Sequence, residues 1–179
     1  RFCAGGACST YGAIAQPGRS DVLVEGGNWI GRWTRAFSED SNLKLQLYYD
    51  YTRRIIPGTF AENLHTYDLD LQHRFPLGER QRILWGAGYR LMDDDVGNTA
   101  ALAFLPAQVT RQLFSAFAQD EISLVPERLQ LTVGSKLEHN DYTGFEAQPS
   151  ARLAWTPTAR QTVWAAISRA VRTPSRIDR

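Results

Sequence analysis

The residues that most often carry catalysis are few in this chain and lie far apart. Three histidines, His65, His73 and His139, fall in different segments of the 179-residue sequence. No serine, cysteine or threonine stands in a recognisable pairing with any of them. Nucleophilic catalysis requires a nucleophile and a base within hydrogen-bond reach of each other. The sequence therefore predicts that the chain is not an enzyme, and no residue is given a catalytic role.

Two further groups of residues could bind a metal ion or each other. Cys3 and Cys8 flank four small residues. In an oxidising compartment they are candidates for a disulfide, with two free thiols as the alternative. The triplet Asp93-Asp94-Asp95 has the charge for calcium, but no further oxygen ligands follow at a suitable spacing. We expect a solvated loop at the triplet, and neither a metal ion nor another cofactor.

The stretch from Trp29 to Tyr51 shows the pattern that organises the chain. Residues 43–51 place apolar or aromatic side chains at every odd position and mostly polar ones at the even positions. A period of two sends successive side chains to opposite faces of a β-strand. Together with the polar turn at residues 38–42, the stretch predicts a long β-hairpin with one apolar and one polar face.

The same pattern recurs along the chain and predicts about eight strands. Four hairpins are expected over residues 26–172, with residues 1–25 as an outer loop and residues 173–179 as the start of the next one. The predicted short turns are 38–42, 76–81, 125–128 and 156–160, and the predicted long connections are 52–63, 92–110 and 139–147. Strands of about nine or more residues suit a tilted bilayer crossing, and short turns that alternate with long loops are typical of an outer-membrane β-barrel.

Aromatic side chains on the apolar faces mark both ends of the predicted strands. Those before short turns are Phe37, Phe75 and Trp155, and those near long loops are Tyr49, Tyr51, Tyr67 and Tyr89. Two aromatic girdles at the membrane interfaces are typical of transmembrane barrels. The sequence therefore predicts an all-β, antiparallel transmembrane barrel segment, with a soluble β-sandwich binding module as the alternative.

The composition agrees with strands rather than helices as the membrane-crossing elements. Hydrophobic residues make up 43% of the chain and the net charge is +1. This content is compatible with membrane-crossing strands, because apolar residues occupy only alternate positions of a barrel strand. No run of about 18 apolar residues is present, so no transmembrane helix is predicted. The charge gives no indication of a nucleic-acid partner. Arg1 does not begin a signal peptide, and we expect a segment of a longer barrel.

Four segments resemble TonB-dependent outer-membrane receptors. The Gln119-Asp120-Glu121 strand with the hairpin after it, the Gln148–Trp155 strand, the strand end at Ile167–Ser175 and the hairpin Gly26–Tyr51 are similar to segments of that family. The resemblance covers about residues 26–175. It implies a central part of a 22-stranded barrel, which in the whole protein surrounds an N-terminal plug domain.

The resemblance also implies a function for the intact protein. It would lie in the outer membrane and import a scarce ligand, such as an iron–siderophore complex, with energy supplied by TonB through the plug. The implied partners are outer-membrane lipid, the plug domain of the same protein, TonB and the small-molecule ligand. A passive porin, or a small structural barrel of eight strands, is the alternative.

Two sets of residues are candidates for contact with water and ligand. The polar positions of the predicted strands would face the barrel lumen, and they are Arg32, Lys44, Gln46, Asp50, Asp68, Asp70, Gln72, Arg74, Arg90, Gln130, Lys136, Glu138 and Arg152. The long outer loops would meet the ligand first, and their candidates are Arg53, Arg54, Phe60, Phe104 and Tyr142. Both charge signs occur in the first set, as expected for a polar wall around a plug and water.

Overall fold

A computed structural model describes residues 21–100 and 102–172 as eight antiparallel β-strands in one sheet, paired in the order of the sequence. The strands are β1 Leu23–Ala36, β2 Asn42–Ile56, β3 Phe60–Leu77, β4 Gln81–Gly97, β5 Gln108–Val125, β6 Leu129–Asn140, β7 Gly144–Thr158 and β8 Gln161–Ser168. The predicted all-β, antiparallel fold is confirmed. Within these residues no helix is long and apolar enough to cross a membrane.

Most strands are longer than the apolar alternation indicated. β3 and β5 each contain 18 residues and β4 contains 17, whereas the apolar pattern of β4 ends near Leu91. Beyond that point the residues are mostly polar, but their side chains still alternate between the two faces of the strand. The hydrogen-bonded ladder therefore extends past the end of the apolar stretch.

Two of the three predicted long connections are tight turns. Residues 57–59 join β2 to β3 and residues 141–143 join β6 to β7. In the first turn the Thr59 N–H donates to the Ile56 carbonyl at 2.9 Å. Gly58 has a φ of 75°, which a residue without a Cβ adopts at little cost.

Among the connections between described strands, only residues 98–107 form a long one. The predicted alternation of short turns with long loops is therefore wrong. The four short turns themselves lie inside the predicted ranges or within one residue of them, because Gly, Pro and short polar residues mark these positions clearly.

The Asp93–Asp95 triplet lies in β4 and not in a solvated loop. Successive side chains alternate between the faces of the strand, so Asp94 points away from Asp93 and Asp95. Asp94 is only 5% exposed and forms an ion pair with Arg111 of β5 at 3.5 Å. On the other face, Asp93 accepts a hydrogen bond from Thr110 at 3.1 Å. The loop prediction is wrong because pairing with β5 continues through the triplet.

β1 begins at Leu23 and runs through Gly26-Gly27, where the sequence pattern suggested the end of a loop at residue 25. A Cβ on Gly26 would lie 2.7 Å from the Tyr51 carbonyl oxygen, so glycine permits the close approach of β2 to β1. Residues 1–20, which include Cys3 and Cys8, and residues 173–179 lie outside the described part of the chain.

Contacts divide the described residues into two units. The first unit holds the residues up to Gly31 together with Leu47–Leu69 and Arg90–Gln112, and the second holds Arg32–Gln46, Asp70–Tyr89 and the residues from Leu113 onward. In the described residues Val96, at 4% exposure, is the only buried hydrophobic side chain, while Trp33 remains 50% exposed. The apolar side chains of the sheet are therefore left without a covering layer from the described residues.

Candidate functional site

In the first unit the even-numbered positions of β2, β3 and β4 carry polar side chains that form two groups of contacts. The Tyr48 hydroxyl donates to Asp50 Oδ1 at 3.1 Å, and the Thr52 hydroxyl donates to Asp50 Oδ2 at 3.2 Å. Arg90 Nε donates to Asp68 Oδ2 at 2.7 Å in an ion pair. Of the polar residues that the sequence singled out, the structure thus joins Arg90 of β4 to Asp68 of β3, while Asp50 is held by side chains of its own strand.

The polar surface of the second unit begins with a contact between β1 and β2. Arg32 donates from Nε and from one terminal guanidinium nitrogen to Gln46 Oε1, at 3.1 and 2.7 Å. In β3, Gln72 Nε2 donates to Asp70 Oδ1 at 2.9 Å. The side chains of these predicted residues therefore form hydrogen bonds with one another.

Glu121 of β5 joins the polar surfaces of two neighbouring strands. Its Oε1 accepts from Arg82 at 3.2 Å and from Gln130 Nε2 at 2.7 Å. Glu121 also lies directly opposite Thr132 in the β5–β6 ladder. The site prediction did not include Glu121, although its position relative to Phe114 and Ile122 places it on the polar face.

Further along β6, Glu138 is the centre of a second charged group. Lys136 Nζ lies 2.7 Å from Glu138 Oε1, and Gln148 of β7 donates to Glu138 Oε2 at 2.5 Å. In the β6–β7 ladder Lys136 lies opposite Gln148, and Thr132 lies opposite Arg152. The side chains of these two pairs are therefore on the same face of the sheet as Glu138.

Strand alternation puts Lys44 and Arg74, the remaining members of the predicted set, on this same polar face. All the side chains predicted to face the lumen therefore lie on one side of their strands. That this side lines a barrel interior stays a prediction.

An aromatic residue interrupts the polar face in β5. Phe117 lies opposite Lys136 in the ladder, and its ring occupies the space left by Gly86 in β4, where a Cβ would come within 2.6 Å of Phe117 Cε1. In the sequence, Phe117 is out of phase with Phe114, Ala116 and Ala118, which alternate on the other face of the strand. The signal for its role was the pair Gly86 and Gly88, which leaves two successive positions on the same face of β4 without side chains.

On the apolar face of the first unit, His65 lies among three tyrosines. Its Nδ1 is 2.9 Å from the Tyr49 hydroxyl, and its ring centroid is 4.8 Å from that of Tyr51. The Tyr49 and Tyr67 rings are 5.0 Å apart. The predicted tyrosine group of β2 and β3 is thus a contiguous aromatic row.

The second unit has two such rows. His73 contacts the rings of Phe37, Phe75 and Trp85, with centroid distances of 6.0, 5.0 and 6.0 Å. Phe37 lies in the turn after β1, Phe75 lies near the end of β3 and Trp85 lies near the start of β4, so all three rings are close to short turns.

The second row of that unit runs across β4 to β7. The Tyr89 and Phe114 rings are 4.7 Å apart, and those of His139 and Phe145 are 4.4 Å apart. Phe114 lies opposite His139 in the ladder. Every histidine of the chain therefore packs against aromatic rings. Within the described residues no group of three or more His, Cys, Asp or Glu side chains could hold a metal ion.

The five candidates for outer-loop contacts are spread over several elements. Arg53 and Arg54 lie in β2, and Phe60 is the first residue of β3. Arg53 shares the apolar side of β2 and lies 3.8 Å from Glu25 of β1, whereas Arg54 is on the polar side by alternation. Three of the five are thus strand residues and not loop residues.

The other two candidates do belong to connections. The backbone of Phe104, in residues 98–107, exchanges hydrogen bonds of 2.8 and 2.9 Å with the Asn98 side chain. The Tyr142 N–H donates to Asn140 Oδ1 at 2.9 Å. These contacts fix the backbone of both residues and leave their part in ligand contact a prediction.

The sheet is antiparallel, with long strands, an apolar face with aromatic residues near the strand ends, and a polar face with several ion pairs. These features are typical of the wall of a transmembrane β-barrel. A sequence model described as "TonB dependent receptor-like, beta-barrel" matches residues 8–178. The chain belongs to this family, and the resemblance found in the sequence is confirmed.

Individual relatives agree with the family. The ferric enterobactin receptor of Pseudomonas aeruginosa is 39% identical over 64 residues, which is 36% of this chain and 8% of that receptor. A mutant of the ferric enterobactin receptor PfeA, from the same organism, has a similar fold at a TM-score of 0.68 and 22% identity, over 86% of this chain and 26% of that one.

The siderophore receptor PirA of Pseudomonas aeruginosa also has this fold, at a TM-score of 0.69 and 21% identity. The match covers 87% of this chain and 28% of PirA. The chain thus spans less than a third of the length of these solved receptors.

Proposed function

We propose that the whole protein is a TonB-dependent receptor of the outer membrane that imports an iron–siderophore complex. In this proposal the present chain supplies part of the barrel wall and of the outer connections. The observation that carries the proposal is the family match over residues 8–178. The relative with 39% identity, a ferric enterobactin receptor, makes a ferric siderophore the first ligand to test.

The apolar face supports a location in the membrane. Phe114 and Leu137 are 48% and 54% exposed, and each apolar side chain gains about 1.5–3 kcal/mol when it is fully removed from water. Lipid tails would cover these side chains. The rows around His65 and His73 would then lie at the headgroup regions, where aromatic side chains are enriched.

The polar face supports a role as the inner wall. Several of its ionic side chains are paired, as in Arg90 with Asp68 and Arg82 with Glu121. Partly exposed pairs of this kind lose little by contact with water, and a polar face of this kind is typical of a barrel interior.

The transport proposal is tested with the full-length protein in cells that lack their own siderophore receptors. We expect uptake of iron-labelled ferric enterobactin that stops when TonB is deleted. Uptake that is independent of TonB would instead indicate a passive porin. If a panel of catecholate and hydroxamate siderophores gives no uptake although the protein is present in the outer membrane, the proposal fails.

The orientation of the wall has its own test, with two neighbouring residues of β6. Thr132→Cys and Val133→Cys are each introduced into a full-length protein whose Cys3 and Cys8 are changed to serine. We expect a water-soluble maleimide to label position 132, because it lies on the polar face opposite Arg152. A fluorophore at position 133 should be quenched by lipids that carry a quencher. The reverse pattern would contradict the assignment of the faces.

A further inference from the structure

On the polar face of the second unit the strands carry more cations than carboxylates. The polar-face carboxylates that form ion pairs, and their partners, are Glu121 with Arg82, Glu138 with Lys136 and Glu146 with Arg169. Strand alternation places four further cations on this face, and among the described residues they form no ion pair; they are Arg32, Lys44, Arg74 and Arg152. Asp70 is the only other carboxylate at a polar-face position in the described strands of this unit.

Three of these cations belong to neighbouring strands and lie near the same strand ends. Arg32 is in β1, Lys44 in β2 and Arg74 in β3, and these strands are adjacent in the sheet. Each of the three lies within five residues of a short turn, either 37–41 or 78–80. We call Arg32, Lys44 and Arg74 the basic patch.

Hydrogen bonds position the charges of this region without cancelling them. Arg32 donates two bonds to Gln46 Oε1, at 3.1 and 2.7 Å, and a neutral amide leaves the guanidinium charge in place. The carboxylate of Asp70 accepts from another neutral amide, Gln72 Nε2, at 2.9 Å. The basic patch therefore keeps a surplus of positive charge on the polar face.

The adjoining turns do not pair with the basic patch. They carry the exposed carboxylates Glu39, Asp40 and Glu79 and the exposed cation Arg80. Among the described residues none of these turn side chains forms an ion pair with a cation of the patch, and water screens exposed charges of this kind. The patch itself lies at least two residues inside each strand.

Under the proposed function the basic patch lies on the inner half of the lumen wall. Residues 98–107, the longest connection between described strands, follow β4, and long connections mark the outer end of a barrel. The turns 37–41 and 78–80 join the opposite strand ends. A ligand that enters through the outer connections would therefore pass the patch before it leaves the barrel.

Cations that are not held in ion pairs suit a ligand in transit. A wall with one sign of charge raises the local concentration of a partner with the opposite sign. Passage along a wall also requires several weak sites instead of one tight site, because the ligand must leave again. The basic patch offers three separate positive charges of this kind.

We propose that Arg32, Lys44 and Arg74 attract an anionic ferric catecholate complex as it passes the inner half of the lumen. This inference rests on the proposed function, in which the polar face lines the lumen and the cargo is a ferric siderophore. The relative with 39% identity is a ferric enterobactin receptor. Ferric enterobactin is an anion, because its catecholate oxygens carry more negative charge than the ferric ion carries positive charge.

The test uses the full-length receptor in cells that lack their own siderophore receptors. The variants are Arg32→Gln, Lys44→Gln and Arg74→Gln, singly and together. We expect the maximal uptake rate of ferric enterobactin to fall about twofold to threefold for each charge removed. The affinity of the same ligand for cells without an energy source should stay at the wild-type value, because the outer connections bind it first.

Two controls separate the charge of the patch from general effects on the protein. Arg35→Gln removes a cation from the apolar side of β1, where the Arg35 guanidinium lies 5.3 Å from the Phe37 ring centroid, and should leave uptake unchanged. Arg32→Lys keeps the charge and should retain most of the rate. Rates are normalised to the amount of receptor in the outer membrane, and the single variants decide if the triple variant does not assemble.

Three outcomes overturn the inference while the proposed function stands. The first is wild-type uptake by the variants that assemble, and the second is an equal loss in Arg35→Gln. The third is weaker surface binding together with new permeability to a large antibiotic, which would show that the patch holds the plug at rest. If the wild-type receptor takes up no anionic siderophore, the proposed function fails and this inference fails with it.

Discussion

The Asp94–Arg111 pair is the most buried ion pair among the described residues, with side chains that are 7% and 15% exposed. The partly exposed pair of Arg82 with Glu121, by comparison, has 44% and 29% exposure. Removing one partner of a buried pair leaves a charge without compensation, which costs far more than losing an exposed pair. Loss of one partner from the Asp94–Arg111 pair should therefore lower the stability of the sheet more than loss of one partner from the Arg82–Glu121 pair.

We expect Arg111→Met to lower the stability of the full-length protein by about 3–5 kcal/mol, because Asp94 would stay buried without its cation. Arg82→Met is the matched control and should cost less than about 1 kcal/mol. Denaturant unfolding of the detergent-solubilised receptor measures both. Equal effects of the two variants would show that the pair at Asp94 is not buried in the assembled barrel.

Gly86 is required by the close approach of its neighbours. A Cβ at this position would lie 2.6 Å from the Leu71 carbonyl oxygen and 2.6 Å from the Phe117 ring. We expect Gly86→Ala to destabilise the protein by about 1–3 kcal/mol, since overpacking forces backbone shifts. In Gly97→Ala, the control, the nearest atom is the Ala61 Cβ at 3.4 Å.

The measurement for Gly86 is the thermal unfolding midpoint of the purified receptor. Adding Phe117→Ala should restore only part of the loss, because the clash with the Leu71 backbone remains. Full restoration would mean that the Phe117 ring alone excludes a side chain here.

At the scale of elements, strand alternation decides which face of the sheet each side chain is on, and the turns fix the register between neighbouring strands. The turn at residues 141–143 depends on Asn140, whose Oδ1 accepts from the N–H groups of Tyr142 and Thr143, both at 2.9 Å. Asn140 is 5% exposed. Its side chain therefore accepts hydrogen bonds from two backbone N–H groups of the turn that would otherwise need water as the acceptor.

Asn140→Ala is expected to cost about 1–2 kcal/mol, because two backbone donors lose their acceptor. Asn140→Asp keeps an oxygen at that position and should cost less. Hydrogen exchange of the β6–β7 turn, measured by mass spectrometry on the full-length protein, compares the two. Protection that is unchanged in Asn140→Ala would contradict this role of the side chain.

At the scale of the whole molecule, the described sheet begins with β1 and ends with β8, and each has one unpaired edge. Such edges pair readily with other chains. The apolar face adds a second tendency to associate, since Trp29 and Ile167 are 57% and 77% exposed. The wall is complete only when other strands and lipid cover these surfaces.

We therefore expect residues 1–179 expressed alone to aggregate in water and to need detergent to stay dispersed. Light scattering and size-exclusion chromatography, with and without detergent, measure this directly. The full-length receptor in the same detergent is the control. A monodisperse chain that unfolds cooperatively without detergent would refute the barrel-wall assignment.

The sequence by itself determined the fold class, the two faces of each strand and the resemblance to TonB-dependent receptors. These follow from a period of two, which is a local property and can be read from neighbouring residues such as Leu45 and Gln46. The short turns were also predictable, because their residue types are restricted by backbone geometry.

Only the tertiary structure decided how far the strands extend and which side chains meet. Asp94 looked like part of a solvated loop, and Phe117 looked out of phase, until the neighbouring strands supplied Arg111 and the space at Gly86. Contacts between strands join residues that are far apart in the chain, and the register that brings them together is set by the whole ladder. Polar strand ends carry no apolar signal, so pairing alone distinguishes them from loops.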